Sequence, residues 1–107
     1  MTVRIAERRQ SIRMPAAYSA VVRDRRGRTL AKGRAANISE SGVYLLVRAA
    51  RVPGPDEHVL LELELPAVTA RARHQDMRTV HYTCRVVHSQ DLGHLTGMGI
   101  QMLSKID

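Results

Sequence analysis

The sequence predicts an all-β domain, a small antiparallel barrel of six or so strands. Three observations lead there. In several short segments apolar and polar residues alternate at period two, the mark of a half-buried strand. Turns rich in Gly, Pro and Asp separate these segments, and no long amphipathic helix is written between them. A chain of 107 residues makes one domain with a modest core. With no Phe, no Trp and three Tyr, that core must come from Val, Leu, Ile, Met and Ala.

Residues 1–14 are polar and Arg-rich and run into Pro15, which disfavours helix in the residue before it. They read as a flexible arm, with 15–107 as the barrel. Tyr18 to Arg23 is the first strand. Asp24 to Arg28 is a turn in which Gly27 accepts positive φ, and Thr29 to Ala36 returns as the second strand. Asn37 to Gly42 is the next turn, and Val43 to Val47 the third strand. Pro53-Gly54-Pro55-Asp56 breaks the chain. From His58 to Pro66, Val59, Leu61, Leu63 and Leu65 share one face, and Glu62 and Glu64 share the other with Leu60. Residues 67–79 read as a loop or a twisted strand end. Val80, Tyr82, Cys84 and Val86 alternate with His81, Thr83 and Arg85. Gly93 to Gly97 is a turn, and Met98, Ile100 and Met102 mark the last strand.

The net charge is +7, which suits an anionic partner: a nucleotide, a nucleic acid or an acidic protein. Arg supplies 15 of the 17 basic residues, so an Arg-rich composition alone accounts for the bulk charge. Cys84 is the single cysteine, so no intrachain disulfide forms, in keeping with a reducing compartment. The N-terminus has no apolar leader and no run reaches spanning length, which points to a soluble, cytoplasmic protein without membrane insertion.

Two motifs stand out. Arg8-Arg9-Gln10-Ser11-Ile12-Arg13 spells RRxxxR, and Asn37-Ile38-Ser39-Glu40-Ser41-Gly42 spells [D/N]xSxxG. An RxxxR also arises at Arg4 and Arg8, whereas the second pattern occurs once. Taken singly, the arginines are a solvated basic arm and the second motif is turn chemistry, with Asn and Ser bonding nearby backbone. Taken together, one ahead of the first strand and the other after the first hairpin, they resemble the signature of the PilZ domain, a bacterial receptor module for the second messenger cyclic di-GMP. The Gly42-Val43-Tyr44-Leu45 exit, the strand around Arg85-Val86-Val87-His88 and the late Gly99-Ile100 follow in family order, so the resemblance covers nearly the whole chain.

The resemblance implies a six-stranded antiparallel barrel of the split-barrel type, usually followed by a C-terminal helix, which here is short or absent. It also implies a ligand with two phosphodiester anions and two guanines. Arg suits both, because its planar fork bonds a phosphate or guanine O6/N7 bidentately and its face stacks on a purine. By resemblance, Arg9 and Arg13 clamp the ligand and Arg8 favours a stacked ligand pair. Asn37 takes the guanine edge with one acceptor oxygen where a carboxylate has two. Ser39 donates to a phosphate or a base, and Gly42 leaves room for the ligand or the turn. Met102 stands where the family's G[VI]xF element has its aromatic, a core exchange that Met suits. No Trp is present to stack on a base, so Arg85 and His88 are secondary candidates for that wall.

Other chemistry is poorly supported. In His81-x-x-Cys84-x-x-x-His88, strand parity puts Cys84 and His88 on one face and turns His81 away, so no metal site is expected. Glu62 and Glu64 read as a solvated edge. No nucleophilic triad or phosphate-binding glycine loop is present, and no enzyme and no cofactor beyond the ligand are expected. The expected function is a cyclic di-GMP receptor that orders its arm on binding and signals in trans to a protein effector. One alternative is a degenerate PilZ adaptor that binds no nucleotide. Another is a small basic nucleic-acid-binding barrel, against which the scarcity of aromatics counts.

Overall fold

A computed structural model describes residues 14–66 and 77–106, with side chains from Tyr18 onward. Six strands are formed: β1 (Met14–Arg23), β2 (Thr29–Ile38), β3 (Gly42–Ala49), β4 (His58–Pro66), β5 (Met77–Asp91) and β6 (Thr96–Ile106). Every pairing is antiparallel, and the order β1-β2-β3-β6-β5-β4 closes into a barrel. The expected fold is the observed one. Among the described residues there is no helix, and β6 runs through Ile106. Closure rests on β1, which pairs with β2 along its length and with β4 from Ala20↔Leu63 to Arg23↔Leu60.

Alternation builds the core. Ala20 and Val22 on β1, Ala31 and Ala35 on β2, and Val43, Leu45 and Val47 on β3 point inward. Val59, Leu61 and Leu63 face them from β4, Val80, Cys84 and Val86 from β5, and Met98 and Ile100 from β6. Small alanines on β1 and β2 face Leu and Met elsewhere, so aliphatic side chains fill the barrel without an aromatic anchor. Cys84 is fully buried among them, and burial pushes its thiol up to about 12. It is a small hydrophobe and stays protonated at neutral pH.

The turns follow the sequence with instructive shifts. Asp24 organises the first hairpin: its Oδ1 accepts from the Arg26 and Arg28 N–H groups at 2.9 Å, and its Oδ2 accepts from Arg28 Nε at 3.1 Å. The backbone N–H of Arg28 is the main cause of its lowered pKa. Gly54 to Glu57 closes with a 3.1 Å bond from Glu57 N–H to the Gly54 carbonyl. Pro55 and a positive φ of 68° at Asp56 are the pattern of a type II turn. Glu57 pins that turn by accepting from Gly54 N–H and from Arg51, and the Arg51 bond is the main cause of its lowered pKa.

Several boundaries differ from expectation. β1 begins at Met14 rather than at the expected Tyr18, because Met14 and Pro15 pair with Ile38 and Asn37. β2 extends through Asn37 and Ile38, because both find partners on β1 and on β3. Gly97 lies in β6, not in the turn, since it pairs with Leu46 and Gln90; the turn itself is made by Asp91 to Leu95, with Gly93 at φ 94°. β5 begins at Met77, so 77–79 are strand, paired with the end of β4. Met14, the last residue of the expected arm, is strand; residues 1–13 and 67–76 lie outside the described residues.

The buried thiol yields a direct test. Iodoacetamide at pH 8 should label Cys84 in the native protein at least tenfold more slowly than in urea-unfolded chain. Equal rates in both states, read by mass spectrometry, would contradict the closed core.

Candidate functional site

A β-bulge shapes the outer face of the barrel. On β5, Val86 pairs with Ile100 and His88 with the very next β6 residue, Gly99, so Val87 is the extra residue. Strand parity alone would carry His88 inward with Cys84. The bulge reverses it, leaving Val86 buried and His88 exposed. Cys84 and His88 therefore do not share a face, contrary to the reading from simple alternation. His81 bonds Glu62 at 3.4 Å on the opposite side, so the three side chains do not converge.

The re-aimed His88 lies over Gly99, where a Cβ would sit 2.6 Å from its Nε2. Tyr44 faces Gly99 from the other neighbour, β3, and its hydroxyl covers Gly97. Two side-chain-free positions on β6 thus let Tyr44 and His88 settle against the sheet. Their rings are 6.3 Å apart between centroids and tilted by 42°.

Beside this pair opens a pocket of about 380 Å³, lined by Asn37, Ser39, Gly42, Val43, Tyr44, Val87, His88, Gly99 and Ile100. That volume falls in the range of small-molecule sites. Asn37 is at the end of β2, paired with Tyr44 across a bulge at Ala36 that turns its side chain to the outer face. Ser39 holds the turn: its N–H and its hydroxyl both donate to the Gly42 carbonyl, at 2.9 and 3.2 Å. Toward the pocket this hydroxyl therefore offers lone pairs, where the sequence reading expected a donor. A Cβ on Gly42 would crowd the Ile100 carbonyl at 3.3 Å, so glycine serves the close approach of β3 to β6. The Ser41 carbonyl accepts from Met102 N–H at 2.9 Å and ties the turn to β6.

The structure thus brings Asn37, Ser39, Gly42 and His88 together. Arg85 stands apart, opposite Gln101. Its guanidinium donates to Gln101 Oε1 at 2.7 and 3.0 Å and pairs with Asp56. Arg8, Arg9 and Arg13 lie outside the described residues. The attachment point of their segment is defined: Met14, next in the chain after Arg13, pairs with Ile38, and Pro15 pairs with Asn37. Tyr44 is the pocket residue that sequence reasoning missed. The available signal was parity, since Tyr44 lies two residues after Gly42 on the outward face of β3.

The pocket holds amide, hydroxyl, phenol and imidazole groups, and among the described residues no Lys or Arg lines it. It can accept N–H donors and stack a planar ring, but a phosphate would need cations from outside its walls. Fold and pocket together define a small closed barrel with an aromatic-walled polar pocket where β1 begins.

Comparison with known proteins gives the class its family. The PilZ domain model matches residues 7–107, and the chain belongs to the PilZ family, whose members are cyclic di-GMP receptor and adaptor modules. No curated protein matches the chain. Among solved structures it is similar to Bacillus subtilis Inhibitor of motility (MotI/DgrA), with a TM-score of 0.68 at 16% identity. That match covers 92% of this chain and 44% of the other, so the chain spans less than half the length of that protein.

Gly99→Ala should keep the barrel and displace the imidazole. We expect loss of the nuclear Overhauser contacts between the His88 and Tyr44 rings. The stability cost should be about 1 kcal/mol, a fall of roughly 4–8 °C in Tm. Retained ring contacts would contradict the placement of His88 on Gly99.

Proposed function

We propose that this protein is a cyclic di-GMP receptor that acts in trans on a protein effector. The observation that carries the reading is the pairing of Met14 and Pro15 with Ile38 and Asn37. It sets Met14, the residue that follows the Arg8-Arg9-x-x-x-Arg13 sequence, beside the strand end that carries the pocket residue Asn37, which supports a role for that segment at the pocket. Among the described residues no cation lines the pocket, and the segment that precedes Met14 in sequence is rich in them.

In this reading the barrel supplies the base site and the arm supplies the charge. Asn37 accepts from the guanine edge through its carbonyl oxygen. Ser39, its proton already given to Gly42, accepts a further donor from the base or sugar. Tyr44 and His88 offer ring faces, and a stacked base gains about 1–3 kcal/mol from such a surface. Arg9 and Arg13 neutralise the phosphodiesters and bond guanine O6 and N7. Arg8 adds the cation that a stacked ligand pair requires. Binding then fixes the arm on the barrel, and the new surface is what an effector reads. Nothing in the site calls for a catalytic step.

Calorimetric titration tests the reading. Cyclic di-GMP should bind saturably, and GTP and cyclic di-AMP should bind at least tenfold more weakly. Hydrogen bonds to charged groups contribute about 1.5–3 kcal/mol each, so Arg9→Ala/Arg13→Ala should weaken binding by roughly 100-fold or more. Two ligands per chain, falling to one in Arg8→Ala, would assign Arg8 to a stacked pair. Absence of heat at high ligand, with no rise in Tm, would sink the receptor reading and leave an adaptor that binds no nucleotide.

A further inference from the structure

We infer that the outer face of β2 and β3 is a docking trough for an acidic segment of a partner protein; this builds on the reading that the protein acts in trans. The trough has a volume of about 770 Å³. Lys32, Arg34 and Arg48 edge it, and Ala36, Leu46 and Leu95 give it an apolar floor. Lys32 and Arg48 are directly paired across β2 and β3, and Arg34 is on the same face two residues along. All three are exposed.

Like charges directly opposite on a sheet destabilise it. Four other arginines meet carboxylates: Arg23 with Glu62, Arg28 with Asp24, Arg51 with Glu57 and Arg85 with Asp56. The exposed Arg25, Arg26 and Arg78 meet none among the described residues, but the trough sets three such cations on one face of one strand pair. Among the described residues, no carboxylate lies within 4 Å of Lys32, Arg34 or Arg48. The trough is thus a concentrated, uncompensated cationic site, and its complement is a set of carboxylates.

The floor selects the class of partner. Half-buried Leu46 and Leu95 suit a segment in which acidic and apolar side chains alternate. Among the described residues no aromatic ring lines the trough for a base to stack on, which disfavours single-stranded nucleic acid. It is also continuous with the proposed nucleotide site: Asn37↔Tyr44 precedes Arg34↔Leu46 along the same strand pair. An occupant of the trough would lie against the surface that a bound nucleotide and arm create.

The test is a titration of labelled full-length protein with a twelve-residue Glu/Leu alternating peptide, followed by amide chemical shifts at 50 mM salt. Shifts should saturate and concentrate at Lys32, Gly33, Arg34, Leu46, Arg48 and Leu95. A Gln/Leu peptide should bind at least tenfold more weakly, as should the Glu/Leu peptide with K32Q/R34Q/R48Q. That variant should keep its dispersed spectrum and bind cyclic di-GMP as the parent does. Peptide binding without nucleotide binding would leave the trough standing and remove the receptor reading. Nucleotide binding with no peptide shifts, or shifts spread over Arg25 and Arg26 as well, would overturn the trough. So would equal or tighter binding of a single-stranded DNA twelve-mer at the same residues.

Discussion

Closure of the barrel through β1 is the constraint on which the site depends. β1 is held on both sides, by β2 from Met14 onward and by β4 over Ala20 to Arg23. Those bonds fix where the arm segment joins the barrel. Without the β4 seam, β1 would be an edge strand along its whole length, as it already is at the junction beside Asn37, and β2 alone would hold it to the barrel. The inward faces that make the seam are Ala20 and Val22 against Leu61 and Leu63, all fully buried. The core therefore holds the strand whose first residues, Met14 and Pro15, pair with Ile38 and Asn37 at the second motif.

On that frame the site is made by irregularities. Bulges at Ala36 and Val87 shift parity by one and turn Asn37 and His88 to the outer face. Glycines at 97 and 99 clear the sheet beneath Tyr44 and His88. A regular ladder would bury His88 and leave the pocket without one wall. The strands give rigidity, and the bulges at Ala36 and Val87 each position one pocket-lining side chain.

Much of the fold was legible in the sequence. Period-two alternation located β4 to the residue, and the same alternation separated the faces of β5 and β6. Asn37, Ser39, Gly42 and His88 were legible as candidates because motif spacing survives folding. Tyr44 was not, because parity could mark its ring as outward but nothing in a list of residues shows that its partner is a glycine on a strand distant in sequence. The His88 face was misread for a related reason: a bulge is a property of two paired strands, and one strand read alone shows only alternation. The strand end at Asn37 was also hidden, since Asn and Ser advertise a turn while pairing with β1 and β3 extends the strand. Arg85 attracted attention by its charge, and the structure commits it to Gln101 and Asp56.

Hydrogen–deuterium exchange with and without saturating cyclic di-GMP tests the central claim most directly. The account predicts new protection in two stretches at once: residues 8–15, and the pocket-lining peptides around 37–44 and 87–100. The β1–β4 seam should exchange slowly in both states. Protection of the pocket with no change over residues 8–15, or no change anywhere, would contradict an arm that closes on a ligand held by the barrel.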